Sequence, residues 1–518
     1  MTSTCPRLLR VYLPVLSLSL CCGAQEFPFF EPVQPPRPFQ VMAHGGEGGQ
    51  APPDSKAALR RCFEDGLEWA EVEVRLTRDG HHILAQGPQV QGADGRTLDV
   101  SEHTLDELLG LEVGSAFAAR YASERVLPLV DCLQLAKGKL NLCLHCNTIA
   151  PAQLAREILE AGMERQVVLH ADADQLSKLQ AASESKLALM GRWQPGMAIP
   201  AWARTNHLAA VEIASSEATS AVCREFHAAG IKVEAECLGQ SDQSEVWDRV
   251  QAAGVDWIQT DLPEELVAHA LWQRLKTRPV LFSLHRGANR YAPENTLPAF
   301  EKGIRLGADF VEFDVRTTSD GKFYLLHDSV LDGKTDGHGP IAATPSSVIA
   351  TLSAGVKFRR AFAKVGLPTL DDFLTTVEGK VNLYFDAKAI PPEILSEAVE
   401  RHHLAERTVV YQSLDYLLKL KAINPRIRAL PPLGAPDELA PLAEKLKPYA
   451  VDTQWNILSR DLIARCHALG ILVFSDALGS HERIEDYLQA MDWGIDLIQT
   501  DHPLRLMRAI ELRAAKVR

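Results

Sequence analysis

The sequence has no excess of basic residues and no long apolar run. Its 54 lysines and arginines stand against 67 aspartates and glutamates, a formal net charge of −13 at pH 7. Nucleic-acid-binding proteins normally present a basic face, so this balance argues against that class. No stretch reaches the ~20 apolar residues that span a bilayer. Its 518 residues, 46% of them hydrophobic, therefore indicate a globular chain of two or three domains.

The first 24 residues have a composition of their own. Two arginines precede the apolar run VYLPVLSLSLCC, and a Gly-Ala pair follows it. This order is typical of a secretory signal peptide. Residues 25–38 are proline-rich and are interpreted as a linker. We therefore expect an exported protein, periplasmic or secreted. The alternative is a lipoprotein anchored through Cys21 or Cys22.

Cysteine is sparse and unevenly placed. Three of the ten cysteines fall in the predicted signal peptide, and all but one of the other seven lie before residue 270. Export permits disulfides, but their pairing cannot be derived from one sequence. Cys143 and Cys146 resemble half of a metal site. Because no second pair follows and both lie in a strand-like run, they are interpreted as two core thiols.

The same sequence pattern occurs twice in the chain. His44 aligns with His285, 241 residues later, and in the same register GKLNL aligns with GKVNL. Near the two ends, GVDWIQTDLP matches GIDLIQTDHP. A register that holds over most of a domain indicates duplication of that whole domain. We place the first copy at residues 39–272 and the second at 279–514.

Each copy alternates short apolar runs with amphipathic segments. In the second copy the β-branched-rich runs are VLFSLH, DFVEFDV, NLYFDAK, TVVYQS, IRALPP, AVDTQ, LVFSD and LIQTD. Strands that alternate with helices in this way are typical of a (β/α)8 barrel. The predicted fold is α/β, with two tandem (β/α)8 TIM barrels. A doubly wound open sheet is the alternative, but no glycine-rich phosphate-binding motif follows the first run.

Polar residues at the carboxyl ends of strands are the candidates for chemistry in a barrel. His285 and Arg286 end the first strand of the second copy. Glu312 and Asp314 lie two residues apart on the next strand and so share a face. Burying two carboxylates together is costly unless a cation accompanies them. Hard oxygen ligands suit Ca²⁺ or Mg²⁺.

The third strand adds Asp386 and Lys388, again two residues apart on one face. The carboxylate would complete a metal site, and the amine would bind an anionic oxygen. The turn signal Asp320-Gly321 predicts that the chain doubles back, which would place His327 opposite Asp314. Two imidazoles, two cations and three carboxylates fit phosphodiester hydrolysis better than sugar or peptide hydrolysis.

The run LHRGANRYAPENTLPAF, with GADFVEFDVRTTSDGKFYLLHDSVLD and GHGPI after it, resembles the glycerophosphodiester phosphodiesterase family. The resemblance covers the second copy nearly end to end. It implies hydrolysis of glycerophosphodiesters to sn-glycerol 3-phosphate and an alcohol such as choline or ethanolamine. It also implies one divalent ion and these roles: acid–base pair His285 and His327; metal ligands Glu312, Asp314 and Asp386; phosphate-binding Arg286 and Lys388.

The second copy departs from the family pattern in two places. Asp386 stands where the family usually has glutamate, and Phe474-Ser475-Asp476-Ala477 replaces a Trp-Thr-Val-Asn run that helps to shape the alcohol pocket. Residues 328–375 match the family's inserted subdomain in place and length. After the first strand, Asn295 or Thr296 is expected to cap the next helix.

The first copy has lost much of the candidate site. Gly45, Gln86, His145 and Asn147 stand at the positions of Arg286, His327, Asp386 and Lys388. Only His44, Glu71 and Glu73 persist. One imidazole cannot carry both proton transfers, and no cation remains for a phosphate. We expect a non-catalytic barrel that packs against the second one. The alternative is a metal site of Glu71, Glu73 and His145.

Two other functions remain open at this stage. A phospholipase D-like enzyme acting on intact phospholipids would need an exposed apolar rim, and the loops show no clear aromatic cluster. A non-catalytic phosphodiester-binding protein is disfavoured by the complete set of polar residues in the second copy. The expected partner is a small glycerophosphodiester. We expect no nucleic-acid partner and no transmembrane segment.

Overall fold

The computed structural model describes residues 26–516, so the predicted signal peptide and both candidate lipidation cysteines lie outside the described residues. Two α/β barrels follow one another along the chain. The last helix of the first barrel ends at Arg274, and the first strand of the second begins at Leu281. Within the described range, none of the helices has the length and apolarity needed to cross a bilayer.

The first barrel has twelve strands and nine helices. The strands are β1 Gln40–His44, β2 Trp69–Leu76, β3 His82–Leu84, β4 Gln89–Gln91, β5 Thr97–Asp99, β6 Leu127–Pro128, β7 Asn141–Cys146, β8 Val167–His170, β9 Ala188–Arg192, β10 Ala210–Ala214, β11 Lys232–Cys237 and β12 Trp257–Thr260. The helices are α1 Lys56–Glu64, α2 Leu105–Leu109, α3 Leu129–Ala136, α4 Pro151–Ala161, α5 Ala173–Ser183, α6 Ile199–Thr205, α7 Ser220–Ala228, α8 Ser244–Ala253 and α9 Pro263–Arg274. Eight parallel strands close on themselves, because β1 pairs with both β2 and β12.

The second barrel repeats this plan with ten strands and nine helices. The strands are β13 Leu281–Leu284, β14 Phe310–Thr317, β15 Phe323–Leu325, β16 Asn382–Asp386, β17 Thr408–Tyr411, β18 Arg428–Leu430, β19 Pro432–Leu433, β20 Ala450–Thr453, β21 Leu472–Asp476 and β22 Leu497–Thr500. The helices are α10 Leu297–Arg305, α11 Ser346–Ile349, α12 Leu370–Val377, α13 Pro392–Arg401, α14 Leu414–Ile423, α15 Leu439–Leu446, α16 Arg460–Ala468, α17 Ile484–Trp493 and α18 Pro503–Lys516.

The parallel sheet of the second barrel runs from β18 through β17, β16, β14, β13, β22, β21 and β20 to β19. One residue separates β18 from β19, so the same short stretch of chain borders both β17 and β20. All eight predicted strands of the second copy are present. The prediction of two tandem (β/α)8 barrels is confirmed.

Large apolar side chains fill the interior of each barrel, and the candidate polar residues lie at the ends of the strands. In the second barrel the inward layer consists of Phe310, Tyr384, Val409, Leu430, Ala450, Phe474 and Leu497. In the first barrel Cys143 belongs to the equivalent layer, and Cys146 is buried as well. All seven cysteines in the described range are buried and unbonded. Cys143 and Cys146 are therefore core thiols.

The hairpin after β14 differs from the predicted one by one residue. Val315 pairs with Leu325, and the Leu326 N–H donates to the Asp314 carbonyl at 3.1 Å. Leu326, not His327, therefore lies opposite Asp314, and the register prediction is wrong. The loop is longer than the two-residue turn assumed from Asp320-Gly321, because the bond from the Thr318 N–H to the Lys322 carbonyl encloses three residues.

Candidate active site

Three carboxylates meet at the carboxyl ends of β14 and β16. The two strands pair in parallel, and their register sets Asp314 beside Asp386. Glu312 lies two residues earlier on the same inward face of β14. One oxygen from each carboxylate lies within 4.8 Å of the other two. Among residues 26–516, this is the single group of three or more potential ligand residues that meets such a distance limit.

The charge of this group is poorly compensated by the protein. Burial raises the pKa of Glu312 well above its usual value, and repulsion from Asp314 and Asp386 raises it further. Burial and Asp314 also raise the pKa of Asp386, against the hydrogen bond from Lys388. Asp314 Oδ1 is buried and has no hydrogen-bond partner. A hard divalent cation fits this set, since it would take the orphaned oxygen and offset the repulsion.

The His285 ring is held by a carboxylate from the last strand end. His285 Nδ1 lies 2.9 Å from Asp501 Oδ1, and the Asn289 amide donates to the same oxygen. Burial alone would raise the pKa of Asp501, but the hydrogen bond and charge of His285 lower it below its usual value. The Asp501 N–H in turn donates to Glu482 at 2.6 Å. This arrangement fixes the ring and leaves Nε2 for proton transfer.

The second predicted imidazole, His327, is held by a loop and not by the end of a parallel strand. His327 follows the end of β15, and its backbone carbonyl accepts a hydrogen bond from Arg316 at 2.7 Å. Its Nδ1 lies 2.8 Å from Asp328 Oδ1. Electrostatic attraction from His327 opposes the upward pKa shift of Asp386. Each of the two imidazoles therefore has an acidic partner on Nδ1, and His327 acts on one of the three carboxylates.

The two predicted phosphate-binding cations also contact the carboxylates. Lys388 Nζ lies 2.5 Å from Asp386 and 3.6 Å from Asp314. The Arg286 backbone N–H donates to Glu312 at 2.8 Å, and its guanidinium pairs with Glu294 at 2.9 Å. Arg286 has a φ of 56°, in the left-handed region. The structure thus brings together all seven residues that the sequence predicts for the site.

Gly287 allows this loop to pass close to the next helix. Its φ is 77°, and a Cβ there would lie 2.9 Å from the Ala299 backbone. A side chain at this position would push the loop away from α10. The glycine therefore fixes the distance between helix and loop, and with it the position of Arg286.

Asn295 is a site residue that the sequence did not identify as such. Its Nδ2 donates to Asp314 Oδ2 at 2.9 Å, and its Oδ1 accepts from the Asp314 N–H at 3.1 Å. Of the two residues expected to cap α10, Thr296 occupies the N-cap position, but its hydroxyl donates to the Pro293 carbonyl and makes no capping hydrogen bond. No pattern in a single sequence marks Asn295. Asp501 could have been found, since it ends a predicted strand.

Two more buried carboxylates, Asp476 and Asp452, lie near the predicted metal ligands. Burial raises the pKa of Asp476, at the end of β21, to about 6, and Asp386 and Asp501 add to this shift while His285 opposes it. Burial also raises the pKa of Asp452, on β20, well above its usual value, and repulsion from Asp476 raises it further. Asp476 falls in the stretch that departs from the family pattern. The departure therefore adds an acidic group beside the predicted catalytic site.

The first barrel preserves only part of this geometry. His44 Nδ1 lies 2.8 Å from Asp261, as His285 does from Asp501. Glu71 accepts from the Gly45 N–H at 3.3 Å. Glu73 is paired with Arg75 at 2.8 Å and accepts from Asn147. The alternative metal set of Glu71, Glu73 and His145 is therefore not assembled, because Arg75 takes the second carboxylate.

We expect Asp501→Asn to slow turnover about tenfold or more, because a neutral amide cannot stabilise the protonated His285 ring. Asp501→Glu keeps the charge and should restore part of the rate. The measurement is kcat and KM for the three proteins, alongside their melting temperatures. A normal kcat in Asp501→Asn would contradict the positioning role.

Comparisons with known proteins agree with the geometry. Residues 285–505 match the model of the glycerophosphoryl diester phosphodiesterase family. A glycerophosphodiester phosphodiesterase of Caldanaerobacter subterraneus subsp. tengcongensis is 29% identical over 240 residues, which cover 44% of this chain and 96% of that protein. One of Bacillus subtilis is 28% identical over 250 residues, 43% of this chain and 84% of that protein.

Among solved structures, a glycerophosphodiester phosphodiesterase of Agrobacterium tumefaciens is 27% identical, with a TM-score of 0.41, over 44% of this chain and 99% of that one. The family match spans the second barrel from its first catalytic candidate, His285, to α18. Residues 285–505 of the second barrel therefore match the glycerophosphoryl diester phosphodiesterase family, and relatives of that name align with the same part of the chain.

Proposed function

We propose that the second barrel is a metal-dependent glycerophosphodiester phosphodiesterase that releases sn-glycerol 3-phosphate and an alcohol. The observation that carries this proposal is the group of three buried carboxylates within 4.8 Å of one another. Two imidazole–carboxylate pairs and two cations surround that group. The family match over residues 285–505 supports the same reaction.

Each residue has a role that follows from its contacts. Arg286 and Lys388 hold the non-bridging phosphate oxygens, since both are anchored at the carboxylates yet keep hydrogen-bonding capacity. His285 and His327 exchange protons with the nucleophile and the leaving alcohol through Nε2. Ca²⁺ or Mg²⁺ bound by Glu312, Asp314 and Asp386 would supply positive charge against the phosphate.

The direct test uses the purified protein with glycerophosphocholine, followed by separate assays for choline and for sn-glycerol 3-phosphate. The proposal expects the two products in equal amounts, because the bond between phosphorus and the alcohol oxygen of the head group is broken. Release of phosphocholine with free glycerol would instead place the cleavage on the other side of phosphorus. Hydrolysis of an intact phospholipid with no reaction on the soluble diester would overturn the proposed substrate class.

For the first barrel we propose a structural role that includes no turnover. Asp65, at the end of α1, is buried and lies 3.6 Å from Arg290 and 3.5 Å from Arg505, both in the second barrel. Arg290 lies in the loop that follows His285 and also contacts His502, next to Asp501. The first barrel thus supports the loop that carries one of the proposed catalytic imidazoles.

We expect Asp65→Asn to lower the free energy of unfolding by about 3 kcal/mol, because it removes the buried counter-charge of Arg290 and leaves Arg505 with the more exposed Glu64. Glu64→Gln is the matched control. Glu64 is 40% exposed and pairs only with Arg505, so its loss should cost about 0–1 kcal/mol. Thermal unfolding of the full-length variants measures both effects. Equal shifts in the two variants would argue against support through Asp65.

We further propose that the protein is exported and processed after residue 24. The charged start, short apolar run and small residues of the first 24 positions support this. Intact-mass measurement of the protein from its native host should give a chain that begins at Gln25. A mass increased by acyl chains on Cys21 or Cys22 would indicate the lipoprotein form instead, and an unprocessed cytoplasmic chain would overturn export.

A further inference from the structure

The mouth of the first barrel is not an empty remnant of a lost active site. A cavity of about 550 Å³ lies there, large enough for a small organic ligand. His44 and Gln86 line it at the positions of His285 and His327 in the other barrel. Its opposite wall comes from the second barrel, including Lys302 and Arg359. The cavity therefore exists only because the two barrels are packed together.

Arg359 belongs to the predicted inserted subdomain of the second barrel. Its guanidinium lies between the rings of Phe117 and Phe362, at 5.1 and 4.9 Å, and donates to the Gly49 carbonyl. The sequence comparison expected no cation for a phosphate in the first barrel. That expectation concerned the residues of the first copy, whereas Arg359 belongs to the second.

The charge of Arg359 has no counter-ion in the part of the chain that the structure describes. None of the ion pairs there includes Arg359, and its Nε is buried without an acceptor. Burial and the nearby Arg120 guanidinium lower the pKa of Arg359, as expected of a cation that lacks a carboxylate partner. A partly buried, uncompensated guanidinium is costly. An anion in the cavity, beside the guanidinium, would offset that cost.

The other charged groups of the lining are largely neutralised. Lys302 is paired with Glu264 and Glu265, Arg305 with Glu265, and Asp261 with His44, while Glu301 is exposed to solvent. The hydrogen bond to Asp261 raises the pKa of His44 to about 9, so the ring is protonated at neutral pH. His44 and Gln86 thus add N–H donors to the guanidinium of Arg359, which has no carboxylate partner among the described residues. A cavity with these donors suits a phosphate group.

We propose that the mouth of the first barrel binds the phosphate group of a small molecule, with Arg359 of the second barrel as its principal ligand. This site is distinct from the proposed catalytic site and does not depend on turnover there. The cavity exceeds the size of a free phosphate ion, which leaves room for a small organic substituent. Inorganic phosphate and sn-glycerol 3-phosphate are therefore the two probes.

The test uses full-length protein that carries Arg286→Gln and Lys388→Gln, so that phosphate binding at the catalytic barrel is removed. Calorimetric titration with each probe should still show one saturable site. Adding Arg359→Gln should weaken that site about tenfold or more, since a charge-assisted hydrogen bond is lost. Arg360→Gln, a change at the exposed neighbouring arginine, is the matched control and should bind like its parent. Tighter binding of sn-glycerol 3-phosphate than of phosphate supports an ester as the ligand, and equal binding supports free phosphate.

His44→Gln provides an independent variant in case Arg359→Gln disturbs the stacked rings. It removes the cationic donor that the first barrel contributes to the cavity, and it should weaken phosphate binding at the same site. The melting temperature of the variant checks its folding. Absence of saturable binding of either probe to the protein without the catalytic cations would overturn the proposal. So would binding that neither Arg359→Gln nor His44→Gln changes, or equally tight binding of glycerol, which has no charge.

Discussion

The His285→Ala protein is expected to hydrolyse glycerophosphocholine about 10²–10⁴ times more slowly than the wild type, the usual cost of losing a general acid or base. The His285 imidazole lies between Asp501, which holds Nδ1, and the mouth of the barrel, where Nε2 can exchange a proton. Alanine removes the proton donor without touching the carboxylates. KM should change less than kcat, because Arg286 and Lys388 still bind the phosphate.

His44→Ala is the matched control, since the duplication places an equivalent imidazole in the first barrel. His44 has the same kind of partner, Asp261 at 2.8 Å, but stands beside Gly45 and Gln86 where the other barrel has an arginine and a second imidazole. Turnover by His44→Ala should equal that of the wild type. The decisive protein is the double variant. Residual turnover of His285→Ala that disappears when His44→Ala is added would show that the first barrel is also catalytic.

Local pattern was sufficient to predict most of the architecture. Each barrel strand is a short apolar run between amphipathic segments, and its residues point alternately to the interior and to the helices. This alternation located all eight strands of the second barrel and placed Glu312 and Asp314 on one face. The rule that chemistry lies at strand ends then selected His285, Asp386 and Lys388. These inferences need only the neighbours of each residue along the chain.

Features that depend on loop geometry were not predicted correctly. The hairpin after β14 encloses three residues instead of two, and this shifts the register of His327 by one position. Asn295 was one of two residues expected to cap α10, but it has a φ of 56° and forms two hydrogen bonds with Asp314. Such outcomes are decided by contacts between loops and strands. Sequence spacing carries little information about them.

Contacts between the two barrels were the least accessible to sequence analysis. Arg359 reaches the first barrel from a segment more than 300 residues after Gly49, whose carbonyl it contacts. Aligning the two copies compares each residue with its own counterpart and not with the residue that faces it across the interface. For this reason the comparison recorded a lost arginine at Gly45 but not the arginine that the other barrel supplies.

Removal of divalent ions is expected to abolish turnover of glycerophosphocholine, and Ca²⁺ or Mg²⁺ should restore it. Glu312 and Asp314 are buried next to Asp386, and Asp314 Oδ1 has no hydrogen-bond partner. Burial raises the pKa of Glu312 and of Asp386, and repulsion between the carboxylates raises both further. Full activity in excess chelator would reject the proposed metal site.

Binding can be measured apart from turnover, because an ion that binds only the folded state raises its stability by about 2.7 kcal/mol at one hundred times its Kd. The melting temperature of the metal-free protein should therefore rise on adding Ca²⁺ or Mg²⁺. The ion binds deprotonated carboxylates, and the pKa of Glu312 is raised, so apparent affinity should increase with pH and fall as Glu312 takes up a proton. A pH-independent affinity would argue against Glu312 as a ligand.

Substitutions locate the ion within the chain. Asp386→Ala should lose both the metal-induced rise in melting temperature and the turnover, whereas Asp386→Glu keeps a carboxylate and should retain more of each. Glu73→Gln is the control, because Glu73 corresponds to Asp314 but is paired with Arg75 in the first barrel. It should leave the metal response unchanged. If the metal-induced rise in melting temperature survives Asp386→Ala and disappears in Glu73→Gln, the ion binds in the first barrel. The metal site assigned to the second barrel would then be wrong.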